Sequence, residues 1–557
     1  MQVDKRIIPF TGAKAIIFLL FISSGILSCG HFRTEKAKKR IETDQIAEDF
    51  ADKLSSVLQS IDTTKSRKHV SDQAYNLRYT YQLNEYLPIW LYQDKPIKAV
   101  TTYLEELEEI RWDGLDPEKY KLSVLKRLHN ELLAGSKNID ALINFDTLLT
   151  RSYLLAAHDL LLGEINPKKA DSTWFYKNDT AWDAPALLVN NDTAYTPLSH
   201  FRSGMPAYAL LQNTYKHYVQ LETNNDLDSA INTLHDIKDF RNPGATGLSA
   251  AAKVIQLELP WLTANKNDSQ TANKNLVAGY QYYMGLKTSG SIDSITLVRL
   301  SSPIKDIAAK IKANMERTRW MQQQFAKTYI LVDVPLMELF FRKDDSLAMH
   351  MRVVVGQPAR QTPSLNANMA NVVINPPWSV PPTILKKDVL PGIKKGGAQY
   401  LAKKGLIVYD KDGDIIDPKK ITPRNYNNYY YRQSPGDDNA LGYVKFNLPN
   451  PYDIYLHDTP HRNDFTLRSR ALSSGCVRVQ QPKEMAIYIL SQLEGRRFNE
   501  DVLDSMIQFH KTKWEILKNK IPVSIVYLTA FQDSTGSHVR MLNDVYKRDS
   551  SLVALLK

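Results

Sequence analysis

The sequence predicts a multidomain α+β chain: a helical N-terminal scaffold domain, a small helical domain after it, and a mainly-β C-terminal domain interrupted by an insertion. Three observations predict this. At 557 residues the chain exceeds what one ordinary core serves, and about 150 residues per domain implies three or four. In the first half, apolar residues recur at helical spacing, as in Ile97, Val100, Leu104, Leu107 and Ile110. Beyond about residue 325 the period drops to two: Met349, Met351, Val353 and Val355 alternate with His350, Arg352 and Val354, the mark of a half-buried strand.

The first element is an apolar run, Ala15 to Leu27, behind the basic residues Lys5, Arg6 and Lys14. It is short for a spanning helix and ends in Ile26-Leu27-Ser28-Cys29-Gly30. A small residue just before Cys resembles the lipobox of bacterial lipoproteins. That resemblance implies that residues 1–28 are a signal peptide and that Cys29 is acylated as the mature N-terminus, anchoring a periplasmic protein to a bacterial membrane. Gly30, in place of the Asp that retains many lipoproteins in the inner membrane, points to the outer one. The alternatives are an ordinary signal peptide or a single anchor helix. Residues 29–45 are polar and read as a tether. Net charge is +11, and removing Lys5, Arg6, Lys14 and Asp4 with the signal leaves +9. A basic surface suits an anionic polymer, whether wall, lipid or nucleic acid. Nucleic acid is disfavoured, because no arginine-rich tract or nucleic-acid motif occurs and the export that the lipobox resemblance implies argues against it.

The helical scaffold spans 46–215. Gly114 ends the helix carrying Ile97–Ile110, and a second helix covers roughly Asp146 to Leu162 with Gly163 at its C-cap. Residues 216–300 are broken by Asn and Asp clusters. Within them, Tyr280-Gln281, Gly285-Leu286, Gly290 and Thr296 resemble the repeat of small helical peptidoglycan-binding domains, with Asp293 where that family has Gly. The resemblance implies either a wall-binding module or a spacer. Ile304, Ile307, Ile311 and Met315 mark a linking helix within 301–324. The mainly-β domain occupies 325–535. It begins with strands at Tyr329–Val334 and Leu339–Arg342 and a turn at Asp344-Asp345, and 536–557 reads as a tail. Residues 383–435, rich in Lys, Gly, Tyr and Asn, interrupt the strands as either a lid over a site or a solvated subdomain. Tyr426 and Tyr429–Tyr431 there could stack on a sugar or peptide, or simply belong to strands.

Cys476 lies in SSGCVRV, nineteen residues after His457 in YLHDTP. With Cys29 acylated, it is the one free thiol of the mature chain. A thiol attacks as thiolate and needs a base or positive field; a histidine within hydrogen-bonding reach can take the proton and later return it to a leaving amine. DIYLH reads as a strand ending at the histidine, and SSGCVRV could return beside it. Gly475 permits backbone angles closed to other residues, so the N–H groups near Gly475 and Cys476 could face an oxyanion. The helix Pro482–Leu493 follows. A lone Cys is more often a buried small hydrophobe, but this polar, Gly-rich setting fits that reading poorly. A zinc site is disfavoured, since only His457, His461 and Cys476 cluster, with Asp458 and Asp464 nearby, and no CxxC occurs. No cofactor is indicated.

Around these motifs the sequence resembles the L,D-transpeptidases in their large, multidomain YcbB-type form. The strings INPPWSVPP (374–382), SPGDDNALGYVKFNLPN (434–450) and IPVSIVYLTAF (521–531) carry the resemblance alongside YLHDTP and SSGCVRV. The resemblance implies Cys476 as nucleophile and His457 as base, with the Asp458 carbonyl orienting the histidine. It further implies a pocket tyrosine at Tyr455 and a substrate-contacting or loop-supporting role for Arg478. Ser473, Ser474, Trp378 and Asn439 are expected to line the substrate, and the insertion to cap it. The implied reaction joins the third residues of peptidoglycan stem peptides through a thioester, releasing D-Ala. Hydrolysis, transfer to a free D-amino acid or to a protein amine, a generic cysteine peptidase, and an idle wall-binding lipoprotein are the competing readings. The sequence points to no particular protein partner.

Overall fold

In the computed structural model the described residues are 34–59, 72–135, 138–189, 195–237, 243–262, 269–321, 325–344 and 346–557, with the side chains of 269–273 also left aside. Residues 1–28 and Cys29 lie outside them. From Thr34 onward the expected tether is docked structure. Thr34 caps the helix Glu35–Thr43 by accepting from the Ala37 N–H. Asp44, 1% exposed, then accepts from Arg40 Nε at 3.2 Å and from the Gln93 N–H at 3.0 Å.

The N-terminal helices share one core, running from Ala37 through Phe201. The helix Lys98–Glu109 buries Val100, Leu104 and Leu107 and gives way to a turn ending at Gly114, φ +73°. The helix expected at Asp146 starts earlier, at Ile139, because the Asn138 side chain accepts from the Asp140 N–H; it runs to Leu162 with Gly163 at its C-cap. A short ladder of β1 (Leu91–Tyr92) and β2 (Lys95–Pro96) sits on this domain.

A second core merges parts that the sequence reading separates. It joins the helices Ala207–Leu221, Gly244–Glu258 and Ile304–Arg319 to Tyr329 and Phe340 of the β domain and to Val526 through Leu556. The 216–300 segment is therefore not a free-standing globule. Its Gln281 is fully buried and braces the turn that follows, accepting from the Ser289 and Gly290 N–H groups and donating to Ser291 O and Thr296 Oγ1. The expected tail is likewise built in. It forms the helix Asp549–Leu555, and Arg317 donates to Asp549 at 2.6 Å.

The C-terminal domain is a mixed sheet of β3 (Thr328–Asp333), β4 (Glu338–Lys343), β5 (Ser346–Gly356), β6 (Leu365–Ile374), β11 (Val444–Asn447), β12 (Leu456–His457), β13 (Ala471–Ser473), β14 (Val477–Val479) and β15 (Lys513–Val526). Its order is β13-β5-β14-β12-β11-β6-β15-β3-β4, and β4 also pairs with β5, so the sheet closes on itself. Closure leaves few open edges. It is possible because the long β5 serves three neighbours, β4 along Ser346–Arg352, β14 along Val353–Val354 and β13 along Val355–Gly356. The interior is filled by Ile330, Val332, Val353, Val372, Phe446, Leu456, Val477 and Val479, with the helix starting at Pro482 and the helix Glu500–Gln508 packed onto it. The helix Pro482–Tyr488 continues as a π-helical turn through Leu493. A separate pair, β16 (Ala530–Gln532) and β17 (Val539–Met541), joins the second core.

The insertion begins earlier than expected. β7 (Trp378–Ser379), β10 (Tyr430–Gln433), β8 (Ile407–Tyr409) and β9 (Ile415–Ile416) form a second sheet in that order. This sheet and its helices enclose their own core of Val389, Ile393, Leu401, Leu406, Val408, Ile421, Tyr426 and Tyr431. Two of the tyrosines considered for stacking on a substrate are thus core residues, while Tyr430 is 67% exposed.

Candidate active site

Strand alternation builds the site. β12 runs parallel to β14, with Leu456 opposite Val477 and His457 opposite Arg478, and antiparallel to β11, with Lys445 opposite His457 and Phe446 opposite Leu456. Leu456, Phe446 and Val477 point into the core, so their alternate neighbours share the outer face. Across that face, Lys445, His457 and Arg478 form one row. Tyr455 and Cys476 form the next, since the Val477 N–H bonds to Tyr455 O and carries the ladder back to this pair. Cys476 is thus diagonal to His457 across two neighbouring strands.

His457 is 5% exposed. Its Nδ1 lies 2.5 Å from Asp458 O, and since a carbonyl can only accept, Nδ1 carries the proton and Nε2 is left as the base. Burial first, and the Arg478 and Lys445 charges on either side, push its pKa down to about 3. The Asp458 carboxylate does separate work. It accepts from the Tyr443 and Thr459 N–H groups and pairs with Arg462 at 2.5 Å, which locks the carbonyl that holds the histidine. Gly442, φ +58°, makes room for it, because a Cβ there would collide with that carboxylate.

Cys476 is partly exposed. Burial pushes its thiol pKa up, against lowering by the Tyr455 backbone and hydroxyl and by Lys445. The resting pair is therefore a neutral thiol and a neutral imidazole rather than a thiolate and an imidazolium. The thiol faces Asp453 O at 3.5 Å, and among the described residues no hydrogen bond joins it to His457.

The structure redistributes the other candidate roles. Ser473, 3% exposed, donates to Cys476 O at 2.6 Å and accepts from the Gly475 N–H at 3.1 Å, so it braces the motif from inside instead of facing a substrate. Gly475 adopts φ +123°, a left-handed angle that a side chain resists, but its N–H is held by Ser473 and is not presented to an oxyanion. Arg478 donates to Asp464 at 2.9 Å and supports the turn Arg462–Thr466. Asn439, 2% exposed, shapes its own loop by bonding Ser434 O and the Leu441 N–H; its side chain is not turned to a ligand. Trp378, at the root of the insertion, borders the Tyr455 hydroxyl, which borders Cys476 in turn.

Ser474 is exposed and tied to the insertion. Arg360 donates to its Oγ at 2.8 Å and also grips Asp388 of the insertion at 2.5 and 2.6 Å. One guanidinium therefore links the loop before Cys476 to the subdomain above it. Behind that loop, Thr362 Oγ1 donates to Gly475 O at 2.7 Å, and Tyr546, from the expected tail, donates to Gly356 O at 2.5 Å. Arg360, Thr362 and Tyr546 carried no signal in the sequence, because their partners are distant in the chain. Lys445 did carry one: it alternates with Val444 and Phe446 and falls on the same face as His457.

Among the described residues no group of three His, Cys, Asp or Glu is placed to hold a metal ion.

The family model of the L,D-transpeptidase catalytic domain (YkuD) matches residues 327–497, a span that holds both Cys476 and His457. The chain carries an L,D-transpeptidase catalytic domain. A second model, described as a scaffold domain, matches residues 75–214 of the helical half. A Haemophilus influenzae protein curated provisionally as an L,D-transpeptidase is 31% identical over 335 residues, covering 58% of this chain and 66% of its own length, a little under two thirds. Among solved structures, the catalytic domain of an Enterococcus faecium L,D-transpeptidase acylated by ertapenem is 14% identical over 36% of this chain and 99% of its own, with a TM-score of 0.18. An L,D-transpeptidase from Mycobacterium smegmatis is 11% identical over 37% of this chain and 61% of its own, with a TM-score of 0.17. The transpeptidase match covers the insertion and every strand of the closed sheet except β15, and the scaffold match covers most of the first helical core and reaches into the helix Ala207–Leu221 of the second.

Proposed function

We propose that the chain crosslinks peptidoglycan, taking an acyl group from the third residue of one stem peptide and passing it to an amine on another. The observation that carries this reading is the shared outer face of β12 and β14. It sets a lone thiol diagonal to a histidine whose tautomer leaves Nε2 free, beneath an inserted subdomain and inside the transpeptidase domain.

In the proposed mechanism, Nε2 of His457 takes the thiol proton as sulfur attacks the carbonyl carbon of the donor's third residue. The C–S bond forms and the carbonyl π pair moves to oxygen. The Cys476 N–H, which has no hydrogen-bond partner among the described residues, is left as the backbone donor for that oxygen. Collapse breaks the C–N bond, His457 returns its proton to nitrogen, and D-Ala leaves. The acceptor amine then repeats the sequence on the thioester and restores the thiol.

Incubating the protein with purified tetrapeptide muropeptides, with and without a second stem as acceptor, tests the reading by mass spectrometry. Crosslinked dimers with stoichiometric D-Ala are expected. Tripeptides alone would replace crosslinking by hydrolysis, and D-amino-acid exchange alone would replace it by transfer to a small acceptor.

We also propose that Cys29 is acylated and holds the enzyme on the wall-facing side of a membrane, with the outer membrane favoured by Gly30. Cys29→Ser should move the protein from the membrane to the soluble fraction; unchanged fractionation would reject the anchor.

A further inference from the structure

We propose that Lys445 is a positioning residue for the reaction, the cation that stabilises the Cys476 thiolate while keeping His457 unprotonated. The inference deepens the transpeptidase reading and rests on it for the identity of the nucleophile.

Three observations lead here. Lys445 sits opposite His457 in the β11–β12 register and therefore on the same outer face. Its Nζ does not stay in that row: it lies over the Tyr455 ring, 4.0 Å from the centroid, and Tyr455 is the neighbour of Cys476 in the next row. The ammonium thus lies over a ring that neighbours both the base and the nucleophile. Finally, the two cations flanking His457 are not equivalent. Arg478 is neutralised by Asp464 at 2.9 Å, whereas among the described residues no carboxylate lies within 4.0 Å of the Lys445 ammonium. An aromatic face holds a cation without cancelling its charge. Lys445 is therefore the cation in this cluster without a contacting carboxylate, Asp453 acting on it only from beyond ion-pair distance, and it is available to an anion that exists only during reaction.

The electrostatics agree. Lys445 lowers the Cys476 pKa and also lowers that of His457, and burial depresses its own pKa while Cys476 and Asp453 sustain its charge. The charged or titratable groups facing the thiol are Lys445 on β11, Asp453 and Tyr455 ahead of β12, and Arg478 on β14, the last paired with Asp464. Of these, Asp453 opposes thiolate formation and Lys445 favours it. When sulfur gives its proton to His457, the S–H bond breaks, the electron pair stays on sulfur, and the new negative charge appears beside the ammonium. A cation that served only to fold the strand would be indifferent to that step.

The test reads the thiol directly. The full chain is alkylated with iodoacetamide across pH 6 to 10, and the peptide containing Cys476 is quantified by mass spectrometry, separately from Cys29. Lys445→Met should move the alkylation midpoint to higher pH and slow alkylation at pH 7 by roughly tenfold. Lys445→Arg should restore most of the rate, and a thermal melt confirms that each variant is folded. A Lys445→Met profile that superimposes on the wild type would overturn the proposal. So would an Arg variant as impaired as the Met variant, since charge would then not be the agent. Because alkylation needs no peptidoglycan, a midpoint shift in a protein that forms no crosslinks would retain the role of Lys445 while rejecting the proposed function.

Discussion

Cys476→Ala is expected to reduce crosslink formation from tetrapeptide muropeptides to the uncatalysed background, a fall of about 10⁴-fold or more. The reason is chemical rather than structural. Nothing else on the outer face of β12 and β14 can form an acyl intermediate: Tyr455 is held protonated, since burial and then the neighbouring Cys476 raise its pKa well above the ordinary value, and His457 is turned by Asp458 O. The loop should survive the change, because its bracing runs through Ser473, Gly475 and Thr362 and not through the sulfur. Intact-mass spectrometry makes the prediction specific. Wild-type protein should gain one acyl group from a carbapenem, and Cys476→Ala none. An adduct that persists in the variant would move the nucleophile elsewhere, and a variant that still forms crosslinks would remove the thioester from the mechanism.

His457→Gln should lower turnover by roughly 10²–10⁴-fold, the range for loss of a positioned acid–base group, and it carries a second, independent readout in stability. The folded-state pKa of His457 is depressed to about 3 from an ordinary 6.5. Between those values the unfolded chain binds a proton at this residue that the folded chain does not. Stability contributed at this site therefore rises with pH through that window and is lost as the protein is acidified below about pH 6.5. Every tenfold difference in proton affinity between the folded and unfolded chain is worth about 1.4 kcal/mol, so the slope should be measurable by urea denaturation at pH 4 and pH 7. The glutamine variant, which has nothing to protonate, should lose less stability on acidification than the wild type. Equal losses would mean that the imidazole is not held neutral by its surroundings.

The same residues show what a sequence reading can and cannot reach. Alternation along Asp453–His457 and Cys476–Val479 is a local property, and it puts both reactive residues on one face once the two strands pair. Helical spacing over Ile97–Ile110 marks a real helix for the same reason. Contacts between distant segments have no local signature. Ser473 and Asn439 resemble substrate residues because they sit in characteristic strings, yet each is satisfied by its own loop. The insertion starts before its compositional boundary because Trp378–Ser379 is strand only through pairing with Tyr430–Gln433. The expected tail is structural because Tyr546 and the helix Asp549–Leu555 bury against segments far upstream.

The sequence by itself determined the two element classes, the change of period near residue 325, the Cys476–His457 pair and the family resemblance, because composition, periodicity and motif spacing are written along the chain. Tertiary structure decided the electrostatic state of that pair. Whether His457 is charged, which oxygen the thiol faces, and which cation lacks a contacting carboxylate all depend on burial and on neighbours from other strands. A thiol expected to be activated by an adjacent histidine is instead a neutral thiol beside a neutral imidazole, with the Lys445 ammonium over the Tyr455 ring acting on both.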